Sequence, residues 1–306
     1  MKILVTGAAG FLGSHLCDKL LESNHIVYGI DNFFRGSKNN LPTNSNFTFT
    51  ETDCLILDDV VKAVVSFKPD IIVHYAAING TRYFYDIPMK VCNDNIVMTQ
   101  NILKASESVD IKKLVYASSS EVYGPNPSIP TDEKEHIQLY IEEDRDSYAA
   151  SKATGEFLTK LWAQTFKKEY LILRPFNTYG SRMATNGYGQ VIPEFIERLS
   201  SDHPFYMYGD GTQTRSFCHV DDHSKAATKL IEEASGVFNI GYDEEVTIKE
   251  LAETIHSLAG KEFNPEIKPE WGHDTKRRKP DISKLKKFYK KDFKDLKSGL
   301  KELIFE

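Results

Sequence analysis

A short apolar strand, followed at once by a glycine-rich turn and a helix, constrains the fold of this 306-residue chain more than any other feature. The run Lys2–Thr6 predicts the strand, and the following positions that would contact a ligand are Gly7, Gly10, Phe11, Leu12 and Gly13. A helix N-terminus offers free backbone N–H groups and the positive end of the helix dipole, which together bind a pyrophosphate. The sequence therefore predicts a dinucleotide site at the start of the first helix.

A candidate ribose-binding residue, Asp31, ends the second predicted strand 18 residues after Gly13. A carboxylate there accepts hydrogen bonds from both ribose hydroxyls of an adenosine and repels a 2′-phosphate, so NAD is favoured over NADP. Arg35, four residues further on, is the nearby side chain that would attract a phosphate. The glycine spacing is Gly-x-x-Gly-x-x-Gly. The alternative interpretation is an ordinary turn and a strand-end aspartate without a cofactor.

Strand-like and helix-like patterns alternate along the first part of the chain. Short Val- and Ile-rich segments such as Asp70–Tyr75 and Lys113–Ser118 are typical of buried parallel strands with helices on both faces. The predicted fold is α/β, a Rossmann-type doubly wound parallel sheet with a smaller C-terminal substrate-binding lobe. We expect the Rossmann domain over residues 1–176, with a segment at about 216–240 returning to it, and the lobe over residues 177–306.

Composition excludes several classes of function. The net charge of −6 and pI near 5.9 argue against nucleic-acid binding, and the basic cluster Lys276–Lys279 is too short to change this. No apolar stretch approaches the roughly 20 residues that cross a bilayer, and no signal-peptide cleavage pattern follows the N-terminus. The four cysteines form no Cys-x-x-Cys pair and the nine histidines no spaced set, so no metal or disulfide framework is expected. Free thiols are typical of the cytoplasm, which is the expected location.

The candidate catalytic residues lie at a strand end and on one helix. Tyr148 and Lys152 are four residues apart at the start of a predicted helix and therefore share a face. A tyrosine with an ordinary pKa of about 10 becomes a general base when an adjacent ammonium and a positive nicotinamide ring favour its phenolate. Ser119 and Glu121 follow the fifth predicted strand, where a period of two places them on the same side. Strand ends of this kind border the ligand crevice of open α/β sheets.

Taken together, these motifs resemble the extended short-chain dehydrogenase/reductases that act on nucleotide sugars, the NAD-dependent epimerase/dehydratase family. The resemblance covers essentially the whole chain. It implies that Asp53 contacts the adenine, that Ala76 and Ala77 line the cofactor channel and that Lys152 holds the nicotinamide ribose. The full set of cofactor-binding residues implied beyond the glycine turn and Asp31 is Asn32, Asp53, Cys54, Ala76, Ala77, Asn95, Tyr148 and Lys152.

The C-terminal half resembles the nucleotide-sugar-binding lobe of this family, with UDP-glucuronate decarboxylases as the nearest branch. Asn177 and Arg215 are expected to grip a diphosphate, with Arg277 or Arg278 as a second clamp, because guanidinium groups match phosphate oxygens. Trp271 stands where several relatives have a phosphate-binding arginine, before Gly272–Asp274. The implied substrate-binding residues are Thr81, Ser119, Ser120, Asn177, Val191, Arg215, Arg277 and Arg278.

The resemblance implies oxidation of a sugar C4 hydroxyl, with Tyr148 taking the proton, Ser119 aligning the oxygen and NAD taking the hydride. We expect a C4 epimerase or a net 4-dehydrogenase. The alternatives are a UDP-glucuronate decarboxylase-like enzyme, a 4,6-dehydratase with Glu121 as the C5 base, and, from another class, a non-catalytic NAD-binding regulator. Ser120 replaces the aspartate of dTDP-glucose dehydratases, which disfavours that activity.

The resemblance also predicts a homodimer. The helices expected over Pro88–Glu107 and Ser147–Lys168 correspond to those of the family's four-helix interface. Phe157, Leu161 and Trp162 supply apolar or aromatic side chains at helical spacing on the second helix.

Overall fold

The computed structural model describes residues 1–184, 189–201, 204–269 and 275–305. The helices are α1 (Phe11–Glu22), α2 (Leu57–Phe67), α3 (Thr81–Asp86), α4 (Pro88–Ser106), α5 (Asp146–Phe166), α6 (Val191–Ser200), α7 (Val220–Glu233), α8 (Ile248–Leu258) and α9 (Leu296–Phe305). The main-sheet strands are β1 (Lys2–Thr6), β2 (Ile26–Asp31), β3 (Phe47–Glu51), β4 (Ile71–His74), β5 (Lys113–Ala117) and β6 (Glu169–Pro175). Shorter strands follow as β7 (Thr178–Tyr179), β8 (Tyr206–Tyr208), β9 (Thr214–Arg215), β10 (Cys218–His219), β11 (Gly236–Ile240), β12 (Val246–Thr247), β13 (Glu266–Lys268) and β14 (Arg277–Arg278).

A seven-stranded sheet in the order β11-β6-β5-β4-β1-β2-β3 forms the centre of the molecule, and every pairing in it is parallel. Its two faces are both buried, as successive residues of β1 show. Ile3 and Val5 belong to the core beneath α1 and α7, whereas Leu4 belongs to the opposite core beneath α2 and α4. The predicted Rossmann-type fold class is confirmed.

The strand order reverses at β1, which pairs with β2 on one side and β4 on the other. In open α/β sheets this reversal opens a crevice beyond the carboxyl ends of the strands, where ligands bind. The glycine turn after β1, the loop after β4 and the segment after β5 all border that crevice. The topology therefore fixes where the site lies.

The C-terminal half builds a third core against α6, α8 and α9. Its strands form small sheets, among them β12-β9-β14, in which Arg278 of β14 lies opposite Arg215 of β9. Two elements from the C-terminal half of the chain belong to the Rossmann layers. Strand β11 pairs with β6 in the main sheet, and helix α7 packs beside α1 on one face of that sheet. The boundaries of the two expected domains stay a prediction.

Two connecting segments of the chain carry structure of their own. The loop before the long helix contains a short helix, α3, whose Phe84 is buried in the core. The connection at 125–146, between β5 and α5, is tied to the C-terminal half, since Thr131 N donates to Lys279 O at 2.9 Å and Asp281 N donates to Thr131 O at 2.8 Å. Within the described ranges, no helix is long and apolar enough to cross a membrane.

Candidate active site

A cavity of about 1120 Å³ lies between the carboxyl edge of the sheet and the C-terminal half. Its lining includes all four candidate catalytic residues, all the candidate substrate residues and every candidate cofactor residue except one. The exception is Asn95, which is buried behind the wall. There its Oδ1 accepts from Ile78 N at 2.7 Å and its Nδ2 donates to Ser151 Oγ at 3.2 Å. Asn95 thus braces the loop after β4 instead of facing the cavity.

The glycine turn fits a dinucleotide diphosphate. Gly7 has φ +71°, and a Cβ there would meet Ala76 N at 2.8 Å, while a Cβ on Gly13 would meet Gly7 O at 2.0 Å. Only glycine allows this close approach of backbone segments. Helix α1 begins after Gly10 with no side-chain cap, so its N-terminal amides are left for an anion.

Asp31 stands at the end of β2 beside this turn. Its carboxylate accepts from Phe33 N at 2.7 Å and from Ala9 N at 3.0 Å, and it lines the cavity. Burial raises its pKa, against the effect of the backbone N–H donors. The Arg35 side chain lines the same cavity and extends to the other wall, where Nη1 donates to Asn79 O. The residues present therefore fit NAD, with a ribose-binding carboxylate in the expected place.

Tyr148 and Lys152 lie on the buried face of α5, as predicted. Lys152 Nζ donates to Ala117 O at 2.8 Å and stands 5.7 Å from the centre of the Tyr148 ring. Burial lowers the pKa of Lys152 to about 7, although the Glu156 carboxylate acts in the opposite direction. Because the lysine is only partly charged at neutral pH, it is a weaker source of positive charge for Tyr148 than the sequence suggested.

The pKa of the Tyr148 phenol is raised well above its ordinary value in the protein alone. Burial is the main cause and the Glu121 charge adds to it, whereas a hydrogen bond with Ser119 and the charge of Arg35 lower it. A general base at this position therefore depends on further positive charge in the assembled site.

Ser119 and Glu121 both line the cavity, as expected, but strand periodicity is not the reason, because β5 ends at Ala117. Ser119 instead caps a 3-10 helix over Ser120–Tyr123, and its Oγ accepts from Glu121 N at 3.2 Å. This sharp change of direction, not a period of two, brings both side chains to the cavity.

Glu121 is held between two arginines. Arg278 donates to both carboxylate oxygens, with Nη2 at 3.2 Å from Oε2, and Arg145 Nη2 lies 3.3 Å from Oε1. The Arg278 side chain is only 5% exposed and also donates to Thr275 Oγ1 at 3.0 Å. Burial would raise the pKa of Glu121, but the two guanidinium groups outweigh it and hold that pKa far below its usual range. Glu121 is therefore an ionised and weakly basic carboxylate at neutral pH.

The residues expected to bind the diphosphate differ in whether their side chains already have hydrogen-bond partners within the described part of the chain. Asn177 lines the cavity, and its Nδ2 is buried with no hydrogen-bond partner among the described residues. Arg215 is buried and donates to Thr214 O at 2.8 Å. Arg277 is paired with Glu245 at 2.6 Å. Trp271 and Gly272–Asp274 lie outside the described residues.

Sequence reasoning missed Arg145 and Phe84. Arg145 precedes α5 in a run of charged residues that resembles any solvated surface segment. Phe84 stacks on Tyr148 with ring centres 4.7 Å apart and an interplanar angle of 14°. Neither residue carries a local sequence signal, since both act through contacts with distant segments. No group of three His, Cys, Asp or Glu side chains able to hold a metal occurs in the described ranges.

The model of the NAD dependent epimerase/dehydratase family matches residues 3–241. The chain belongs to this family. It is 36% identical over 309 residues to UDP-glucuronic acid decarboxylase 1 of Arabidopsis thaliana, which covers 99% of this chain and 69% of that protein. It is also 36% identical over 307 residues to a putative UDP-glucose 4-epimerase of Methanocaldococcus jannaschii, covering 99% and 97%.

Among solved structures, UDP-glucuronic acid 4-epimerase from Bacillus cereus, in complex with UDP-glucuronic acid and NAD, aligns with a TM-score of 0.87. Its identity is 32%, and the alignment covers 98% of this chain and 96% of that one. The predicted family, the enzymatic nature of the protein and NAD as its cofactor are confirmed.

Proposed function

We propose that this family member oxidises the C4 hydroxyl of a nucleotide-activated sugar and returns the hydride to the 4-keto sugar, as a 4-epimerase. The observation that carries the proposal is that Tyr148 and Ser119 line the same cavity as the glycine turn. Sharing one cavity lets a single sugar carbon meet both a proton acceptor and the cofactor. The relatives with 4-epimerase names support the same reaction.

In the proposed mechanism, Tyr148 accepts the proton of the C4 hydroxyl and later returns it. Ser119 shares a hydrogen bond with the phenol and aligns the sugar oxygen. A bound NAD would supply the acceptor for the C4 hydride and further positive charge beside Tyr148. Lys152, fixed by the Ala117 carbonyl, would hold the nicotinamide ribose. Phe84 stacks on the Tyr148 ring and covers that face of it.

The substrate's diphosphate would lie against the C-terminal half. Asn177 offers a buried amide donor and Arg215 a buried guanidinium on the same cavity wall. Charge-assisted hydrogen bonds to phosphate oxygens are strong and directional, so these two residues set the position of the sugar relative to Tyr148. Arg277, paired with Glu245 at the rim, is the weaker candidate for a second clamp.

The ion pairs of Glu121 argue against the 4,6-dehydratase alternative. A dehydratase base must remove the C5 proton, which requires a carboxylate whose basicity is raised or at least ordinary. Arg145 and Arg278 do the opposite, because they stabilise the ionised form. Glu121 is therefore proposed as an electrostatic and positioning group.

The same cluster favours UDP-glucuronate decarboxylation as a second candidate. Arg145 and Arg278 place two guanidinium groups at the cavity, where a sugar carboxylate would compete with Glu121 for them. After C4 oxidation such a substrate is a β-keto acid, and loss of CO₂ leaves an enolate that Tyr148 can help to reprotonate. The 36% identical decarboxylase supports this candidate.

We also propose that the chain divides into two domains at residue 176 and that the protein is located in the cytoplasm.

We further propose a homodimer that forms through α4 and α5. The side chains of Phe157 and Leu161 on α5 are 60% and 53% exposed, which suits a contact with a second copy. Trp162 is buried in the chain's own core and is removed from the expected interface.

Product analysis tests the proposed reaction. The protein would be incubated with NAD and a panel of UDP-, GDP-, dTDP- and CDP-sugars, including uronates, and the products examined by mass spectrometry and NMR. A 4-epimerase gives a product of unchanged mass with inverted C4. Loss of CO₂ selects the decarboxylase, and loss of water or release of free NADH would overturn the proposal in favour of dehydratase or net dehydrogenase chemistry.

A further inference from the structure

The segment after β2 crosses from one wall of the cofactor cleft to the other. Its base is fixed to the glycine turn, because Ser37 N donates to Ala9 O at 3.0 Å and Asn40 Nδ2 donates to the same oxygen at 2.9 Å. Gly36 lies so close that a Cβ there would meet Ala9 Cβ at 2.8 Å. The residues just before Gly36 therefore start directly beside the diphosphate cradle.

From that anchor, two adjacent side chains reach the opposite wall. Arg35 Nη1 donates to the carbonyl oxygen of Asn79, on the loop that follows β4. The ring of Phe34 contacts that of Tyr83 on α3, with centres 5.7 Å apart. Two consecutive residues thus tie the wall that carries the glycine turn to the wall formed by the loop after β4 and by α3.

Arg35 lines the cavity that also contains the glycine turn and Tyr148. The residue lines the cavity together with Gly10 and Asp31, and its charge reaches Tyr148, whose pKa it lowers. A guanidinium in this place attracts the two negative charges of a dinucleotide diphosphate. Asp31 remains at the ribose position, so this attraction does not require a 2′-phosphate.

We propose that Arg35 is a cofactor-retaining strap: tethered to the Asn79 carbonyl, it slows the release of the bound dinucleotide. The inference rests on the proposed function only in using NAD as the cofactor. Retention suits a reaction that returns the hydride within one turnover, because the reduced cofactor then stays in place. A net dehydrogenase would have to release NADH in every cycle.

The test measures NAD release from the purified protein, independently of any sugar. The wild type, Arg35→Ala and Arg35→Lys would be loaded with NADH, and its dissociation followed by stopped-flow fluorescence during displacement by excess NAD. We expect Arg35→Ala to release NADH about 10- to 100-fold faster, the range that the loss of a charged hydrogen bond produces. Arg35→Lys should lie in between, since it keeps the charge but loses the planar fork.

Arg82→Ala is the matched control, because Arg82 is exposed on α3 and pairs with Asp86 at 2.9 Å. It should release NADH at the wild-type rate. Release of NADH from Arg35→Ala at the wild-type rate would overturn the strap proposal. A loss of NADP binding alone would also overturn it, because Arg35 would then bind a 2′-phosphate. Failure of the wild type to bind either dinucleotide would instead refute the proposed function. Circular dichroism and thermal melting establish that each variant is folded.

Discussion

Glu121→Gln tests the arginine-held carboxylate, because it removes one charge and almost no volume. In the wild type the carboxylate contacts Arg278 and Arg145, and the Arg278 side chain is 5% exposed. Two opposite charges 4 Å apart are worth about 4 kcal/mol at an effective dielectric constant of 20. The amide keeps part of the hydrogen bonding but leaves a buried guanidinium without its counter-charge. We therefore expect a loss of about 2 to 4 kcal/mol in the free energy of unfolding.

The pH dependence of this loss follows from the direction of the pKa shift. Glu121 has a pKa in the folded state far below its ordinary value of 4.5. Its contribution to stability is thus fully present above about pH 4.5 and decreases as the pH falls towards the folded-state pKa. The difference between wild type and variant should be the same at pH 6 and pH 8 and become smaller in acid.

Urea unfolding followed by circular dichroism measures this loss, and the melting temperature should fall by roughly 3 to 6 °C. Glu245→Gln is the matched control, because Glu245 pairs with Arg277, whose side chain is 55% exposed. That variant should lose less than about 1 kcal/mol. Equal stability of Glu121→Gln and the wild type would refute the reasoning that Arg278 depends on this carboxylate.

The same variant also separates the reaction types. Removing the Glu121 charge lowers the pKa of Tyr148, so the rising limb of the pH–rate profile for C4 oxidation should move to lower pH. C4 oxidation and product formation should both persist. Accumulation of NADH and a 4-keto sugar, with deuterium exchange at C5 lost, would instead make Glu121 the base of a dehydratase.

Three further predictions concern chemistry, cofactor choice and assembly. Tyr148→Phe should lower turnover about 100- to 10,000-fold while calorimetry shows nearly unchanged NAD and sugar-nucleotide binding; a rate within threefold of wild type would remove Tyr148 from the mechanism. Asp31→Ser should weaken NAD binding about tenfold or more and narrow the preference over NADP in fluorescence titrations, because it removes the carboxylate and its bonds to the glycine turn. Light scattering should give a dimer for the wild type and a monomer for the double variant Phe157→Glu, Leu161→Glu, whereas a wild-type monomer at micromolar concentration would refute the interface.

The sequence by itself determined the features that depend on neighbouring residues. The strand, glycine turn and helix at the N-terminus are local, because the close approach of Gly13 to Gly7 spans only six residues. Tyr148 and Lys152 share a face because helical geometry alone relates positions four apart. The parallel sheet also follows from the alternation of short apolar strands with helices.

Only the tertiary structure decided how charges and rings from distant segments combine in the site. Arg278 reaches Glu121 across 157 positions of sequence, because β14 pairs with β9 at the edge of the cavity. Arg35 and Asn79 are 44 positions apart and meet because strand reversal at β1 places the loops after β2 and β4 on facing walls. The 3-10 turn after Ala117, and not the alternation of side chains along a strand, brings Glu121 to the cavity. The pKa values depend on these contacts and on burial, and no pattern of neighbouring residues encodes either.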